Sequence, residues 1–236
     1  MIKTQNLVKN FDGIQAVDDL SFSVEPGEVL GFLGPNGAGK STTMRMIAGF
    51  ITPTSGSASI CGHDVVQEPI AARSALGYLP EGAPLYGEMT VGDFLGFVAY
   101  LRGLEGAHRK TRLDYVIGRL QLEGVIAQTI DTLSKGFRRR VGLAQAIVHD
   151  PRVLILDEPT DGLDPLQKHE VRTLIGEIAK EKTIVISTHI LEEVDAVCTR
   201  AVIIARGKIV ADDTPAALRA RTPSGRLDDV FREVAA

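Results

Sequence analysis

The segment Gly34-Pro35-Asn36-Gly37-Ala38-Gly39-Lys40-Ser41 constrains the fold of this 236-residue chain more than any other. It fits the pattern G-x-x-x-x-G-K-[ST]. It lies between the apolar run Val29-Leu30-Gly31-Phe32-Leu33 and a stretch, residues 42–49, that reads as a helix. A short, wholly apolar run is the mark of a buried parallel strand. The glycines permit backbone torsions that turn successive N–H groups inward. The helix that starts near Lys40 adds the positive end of its dipole. A strand, a glycine turn and a helix in this order build a cradle for a polyphosphate. Gly34, Pro35, Asn36, Gly37, Ala38 and Gly39 form the cradle, and Thr42 joins them at the first helical turn. The Lys40 ammonium reaches the β and γ phosphates, and the Ser41 hydroxyl ligates magnesium. A glycine-rich turn with a chance lysine is the bland alternative; the strand and helix on either side argue against it.

The rest of the chain alternates strands and helices. Leu20, Phe22 and Val24 alternate with Ser21 and Ser23, a half-buried strand pattern. From about residue 85 to 150 the texture turns helical: Leu113, Val116, Ile117 and Leu120 fall on one stripe, and Val141, Ala144, Ile147 and Val148 on another. Strands return with Val153-Leu154-Ile155-Leu156, with Thr183 to Ser187 and with Ala201 to Ala205. Between them, Asp164-Pro165-Leu166-Gln167 reads as a helix start, with Asp164 as cap and Gln167 back-bonding. The fold class expected is α/β: a mainly parallel sheet, an antiparallel β subdomain at the start, and an inserted helical lobe over about 85–150 within one domain, 1–236. A tail, about 211–236, carries the short amphipathic helix Leu227-Asp228-Asp229-Val230-Phe231-Arg232, expected to pack on the core.

Composition narrows the class further. With 44% apolar and 24% charged residues the chain buries a core without metal or disulfide staples. A formal net charge of −4 lacks the basic face that general nucleic-acid binding needs. Arg138-Arg139-Arg140 is the one basic run and reads as a solvated helix face. Cys61 and Cys198 have no metal spacing and read as small buried apolar residues. His63, His108, His149 and His169 form no ligand constellation. The start has no signal segment, and the longest uncharged stretch, residues 46–63, is broken by Pro53 and glycines and does not span a bilayer.

A second chemical element ends the run Leu154-Ile155-Leu156 with Asp157 and Glu158. Ligands of open α/β sheets sit beyond the carboxyl ends of the strands. There Asp157 holds magnesium and Glu158 polarises the water that attacks the γ phosphate. A polar strand end before Pro159 is the alternative, and the phosphate loop upstream argues against it.

With these elements the sequence resembles the nucleotide-binding domain of ATP-binding cassette (ABC) transporters over nearly its whole length. The most diagnostic segment is Leu133-Ser134-Lys135-Gly136-Phe137, similar to the signature written LSGGQ. The resemblance implies that Ser134 and the backbone of Gly136 cap the γ phosphate bound by a second subunit, so that each site is complete only in a head-to-tail dimer. It implies that Phe11 stacks on adenine, that Glu81 stands at the Q-loop position as a magnesium ligand, that Asp164 in Gly162-Leu163-Asp164 belongs to the D-loop, and that His189 is the switch histidine. Phe11 has a competing reading as a core residue, beside Phe22 and Phe32.

Lys135 and Phe137 depart from the signature, and Glu81 replaces the usual glutamine. Lys135 has two readings, toward the partner's phosphates or toward solvent, with solvent favoured. Glu81 keeps an oxygen ligand but adds negative charge that asks for a compensating cation. The resemblance implies an ATPase that uses ATP and Mg2+, pairs with a second cassette, and drives separate permease subunits, in an exporter-type system, from the cytoplasmic face of the membrane. A non-transport ABC ATPase working on DNA or ribosomes is the second reading; one cassette and no long coil count against it. A small-molecule P-loop kinase is the third, and Glu158 with the signature segment disfavours it.

Overall fold

The computed structural model describes residues 1–235. The chain runs β1 (Ile2–Phe11), β2 (Ile14–Val24), β3 (Val29–Leu33), α1 (Lys40–Ile47), β4 (Ser55–Ile60), β5 (His63–Asp64), α2 (Pro69–Ser74) and β6 (Leu76–Leu79). Three helices follow: α3 (Val91–Leu101), α4 (Gly106–Arg119) and α5 (Lys135–Ile147). Then come β7 (Val153–Asp157), α6 (Pro165–Ile178), β8 (Thr183–Thr188), α7 (Leu191–Val197), β9 (Arg200–Ala205), β10 (Lys208–Asp213), α8 (Pro215–Arg219) and α9 (Leu227–Ala235).

Two sheets result. One is antiparallel, in the order β2-β1-β4-β5. The other has the order β10-β9-β3-β8-β7-β6; all its strands are parallel except β10, which closes one edge antiparallel to β9. This is the α/β architecture that the strand and helix pattern predicts. Along β7 the side chains alternate between two cores. Val153 and Ile155 face the antiparallel sheet and α1, with Phe32, Met44 and Val185. Leu154 and Leu156 face α5 and α6, with Val141, Ala144 and Leu174. A strand covered on both faces has no polar side to show, which is why it reads as a continuous apolar run. Each fully buried aliphatic side chain in these cores contributes about 1.5–3 kcal/mol.

Local signals are obeyed at the helix ends. The Asp164 side chain accepts from the Gln167 N–H and Gln167 bonds back to Asp164, a complete capping box. The helix expected over 42–49 begins two residues earlier, at Lys40, because Gly39 adopts the left-handed φ of 104° that caps it. In the tail, Leu227 and Val230 of α9 are buried against β9 and β10. The two cysteines depart from expectation in degree: both are half-buried, although burial of its sulfur pushes the Cys198 thiol up to about 12.

The register decides where chemistry is possible. Leu33 pairs with Thr188, and Asp157 pairs with Ser187. The ends of β3, β7 and β8 therefore lie side by side, and the segments that follow them leave from one edge of the sheet.

Candidate active site

At the end of β3 the loop 34–39 is shaped by close backbone approaches. A Cβ on Gly39 would lie 2.4 Å from the Ala16 carbonyl oxygen, and one on Gly34 2.5 Å from that of Ile204. Gly37 has a φ of +80°, with nothing near its Cβ position. Pro35, Asn36 and Gly37 are exposed, so the cradle opens outward. Lys40 is buried, and its Nζ donates to the Gly34 carbonyl at 2.6 Å and the Pro35 carbonyl at 3.0 Å. Burial lowers its proton affinity, and Glu158, Asp157 and Glu81 oppose that change electrostatically. Those three carboxyl groups therefore lie within electrostatic reach of the lysine. Ser41 and Thr42 are half-buried at the start of α1.

At the end of β7, Asp157 is buried and Glu158 follows with a left-handed φ of 51°. That conformation costs a non-glycine residue on the order of 1–3 kcal/mol and persists only where the surroundings hold it. Here they hold it from several sides. The Glu158 N–H donates to the Ser187 carbonyl at 2.8 Å. Its Oε1 lies 2.8 Å from His189 Nδ1, and its Oε2 accepts from the Thr188 hydroxyl at 3.4 Å. Behind this pair sits Glu193, only 2% exposed. It accepts from the hydroxyls of Thr160 and, at 2.8 Å, Thr188. Burial raises the Glu193 carboxyl above the usual range, although Thr188 and Arg172 pull the other way.

Lys40, Asp157, Glu158, His189 and Glu81 thus converge. In the signature segment, Ser134 and Lys135 are exposed, whereas Leu133 and Gly136 are buried. Ser134 is exposed and caps α5, its hydroxyl accepting from the Phe137 N–H at 3.3 Å. Gly136 packs against its own chain's Gly162 carbonyl and Gln167. Asp164 is exposed as the cap of α6. Lys135 does not simply reach into solvent, as favoured above: it is largely exposed, yet its Nζ pairs with Asp161 at 2.8 Å. Phe11 is 43% exposed, with Lys9 Nζ 4.9 Å from its ring centroid, which removes the core reading.

The basic run needs a larger correction. Arg138 is exposed, but Arg139 and Arg140 are 4% and 6% exposed, and the run is not a solvated face. Arg140 donates to the Leu120 carbonyl at 3.1 Å and lies over the Phe137 ring. Arg139 donates to the carbonyls of Pro80, Asp157 and Glu158. Buried guanidinium groups here find carbonyl partners from distant loops, which a local reading of charge does not register.

The family model described as ABC transporter matches residues 17–161. The chain belongs to the ABC transporter family. Proteins named as ATP-binding proteins of that family are among those it is similar to. The probable multidrug ABC transporter ATP-binding protein YbhF of Escherichia coli is 36% identical over 236 residues, covering 100% of this chain and 41% of that protein. The Nod factor export ATP-binding protein I of Paraburkholderia xenovorans is 37% identical over 231 residues, covering 98% of this chain and 76% of that protein. A solved structure of the ATP binding subunit of an ABC transporter is 31% identical, with a TM-score of 0.93 and full coverage of both chains. The cassette thus spans about two fifths of the length of the E. coli relative.

Sequence reasoning missed three groups in this cassette. Arg139, Thr188 and Glu193 all contact Glu158 or its supports. Glu193 carried a weak signal, an acid on a helix just after the strand that ends near His189. Arg139 carried none beyond its position in the helix that follows Ser134.

Proposed function

We propose that this cassette binds ATP at the loop 34–42 and hydrolyses it with Mg2+. The observation that carries this reading is the convergence of Lys40, Asp157 and the Glu158–His189 pair at the ends of three adjacent parallel strands. The donor set Ser41, Asp157 and Glu81 offers only oxygen, which suits a hard cation such as Mg2+. Bound there, the ion supplies charge neutralisation at the β and γ phosphates. Lys40 is placed to hold the same phosphates, and Phe11 is free to stack on the base. Glu158 takes the proton of the attacking water, and His189 orients the Glu158 carboxylate through its Nδ1 contact. The purified chain is expected to release phosphate from ATP, to stop when Mg2+ is chelated, and to lose turnover with Lys40→Ala. Metal-independent hydrolysis, or an active Lys40→Ala variant, removes the reading.

The nucleotide site opens outward in one copy, while Ser134 and the N-terminal turn of α5 face the exterior with no phosphate of their own chain to cap. Hydrolysis is favoured when all but the attacking water is excluded and charge is stabilised on both sides. We read these two surfaces as halves of one site, joined head to tail in a cassette pair, with Ser134, Gly136 and Asp164 contributed across the interface.

A groove of about 500 Å³ lies between α3 and the β6 region, lined by Phe50, Tyr78, Tyr86, Phe97 and Leu101 among others. Phe50, Tyr86 and Leu101 are each more than 60% exposed. Among the described residues no helix is long and apolar enough to cross a membrane. We infer that the groove receives an apolar segment of a membrane-embedded permease, with the cassette at the cytoplasmic face of the membrane. The Nod factor relative favours export as the direction. Leu101→Glu is expected to leave ATP hydrolysis by the isolated cassette within about twofold and to abolish co-purification with membrane subunits, because a charge in an apolar contact is costly. Undiminished co-purification would place the permease elsewhere.

A further inference from the structure

Arg139 is a buried cation with an unusual set of partners. It sits in the first turns of α5, two positions beyond Phe137, and is 4% exposed. Its Nη1 donates to the Pro80 carbonyl at 3.1 Å. Its Nη2 donates to the Asp157 carbonyl at 2.5 Å and also to the Glu158 carbonyl. Two segments that are far apart in sequence, the one before Glu81 and the end of β7, therefore meet on one guanidinium supplied by α5. A planar fork with several fixed donors serves converging carbonyls, whereas an ammonium does not present that geometry.

The Glu158 contact matters most, because that residue's backbone has a left-handed φ. Its N–H is held by Ser187 and its carboxylate by His189; its carbonyl accepts from Arg139 and from the Asp161 N–H at 3.1 Å. The acids around Arg139 are shared with other cations: Lys40 faces Glu158, Asp157 and Glu81, and Lys135 pairs with Asp161. Asp161, Asp157, Glu158 and Glu81 all act on Arg139 electrostatically, and Glu81 adds a charge where an amide would be neutral.

We propose that Arg139 is a positioning residue for ATP hydrolysis, locking the backbone of Asp157 and Glu158 and serving, beside Lys40, as a second buried counter-cation for the acid at position 81. The inference rests on the ATPase reading above, and wild-type turnover tests that reading separately.

The test is a cycle of Arg139→Gln, Glu81→Gln and the double variant, read as kcat and as KM for ATP, with thermal melting of each. Arg139→Gln is expected to lower kcat by about tenfold or more, with KM moving by less than about threefold, because the phosphate loop is untouched. With glutamine at position 81 the same substitution is expected to cost several-fold less, the signature of coupled charges. An equal loss with either residue at position 81 overturns the counter-cation role, and an unchanged kcat overturns the positioning role. If Arg139→Gln does not fold, Arg139→Lys carries the test. It keeps the charge and loses the fork, so a folded lysine variant with a lowered kcat supports positioning, and one with wild-type turnover per folded molecule overturns it. A wild-type chain without ATPase activity would instead remove the reading on which the inference stands.

Discussion

Glu158→Gln is expected to keep ATP bound and to lose turnover by about 10²–10⁴-fold, the contribution of a well-placed general base. The amide is nearly isosteric, so the Ser187 and Arg139 contacts to the Glu158 backbone persist. What disappears is a carboxylate that can take a proton, while the amide oxygen still offers an acceptor to His189 Nδ1, 2.8 Å from Oε1 in the native chain. Binding should survive, because Lys40 and the loop amides stay in place. A site that binds and does not turn over should also accumulate in its closed form. Size-exclusion with ATP is then expected to show a stable dimer where the wild type runs as a monomer or exchanges rapidly. Turnover close to wild type would remove Glu158 from the base role and leave the buried Asp157 as the acid to examine.

Ser134→Arg should separate binding from hydrolysis in the opposite way. Ser134 is exposed at the cap of α5; on the head-to-tail proposal, a long cation there has room in one copy and none against a second copy's triphosphate site. ATP binding by the monomer, followed by fluorescence of a labelled nucleotide, is expected to stay within about threefold. Hydrolysis is expected to fall about 100-fold, since displacing a reacting group by even an ångström costs that much. The substitution also removes a capping hydroxyl, worth about 0.5–2 kcal/mol. Ser134→Ala removes the same cap without blocking closure, so it should share any drop in melting temperature and keep more of the activity. Wild-type hydrolysis in Ser134→Arg would mean that a single copy completes its own site.

These two variants probe residues of very different legibility. The phosphate loop announces itself because its chemistry is contiguous: a run of eight residues carries the glycine torsions, the amides, the lysine and the hydroxyl. The acids at the end of β7 are readable for a related reason, since a strand covered on both faces is apolar until it reaches the edge where ligands bind. The capping box at Asp164 is a contract between residues three apart, and it too holds. Arg139, Glu193 and Lys135 resisted the same treatment. Each takes its meaning from groups far along the chain: Arg139 from carbonyls at positions 80, 157 and 158, Glu193 from the hydroxyl of Thr160, Lys135 from Asp161.

Local pattern, then, was enough to read strands β2, β3, β7, β8 and β9 and helices α1, α4, α5 and α6, and to propose the polyphosphate cradle and the two strand-end acids, because torsional preference and side-chain periodicity act over a few residues. The three-dimensional packing settled which of those pieces are neighbours. The order β3-β8-β7 brings Lys40, Glu158 and His189 to one edge. The folding of α5 against that edge turns an arginine in a charged run into a buried clamp. Desolvation is the physical reason for the difference. A charged side chain looks the same in a sequence whether water or three carbonyls surround it, and only the assembled fold supplies the carbonyls.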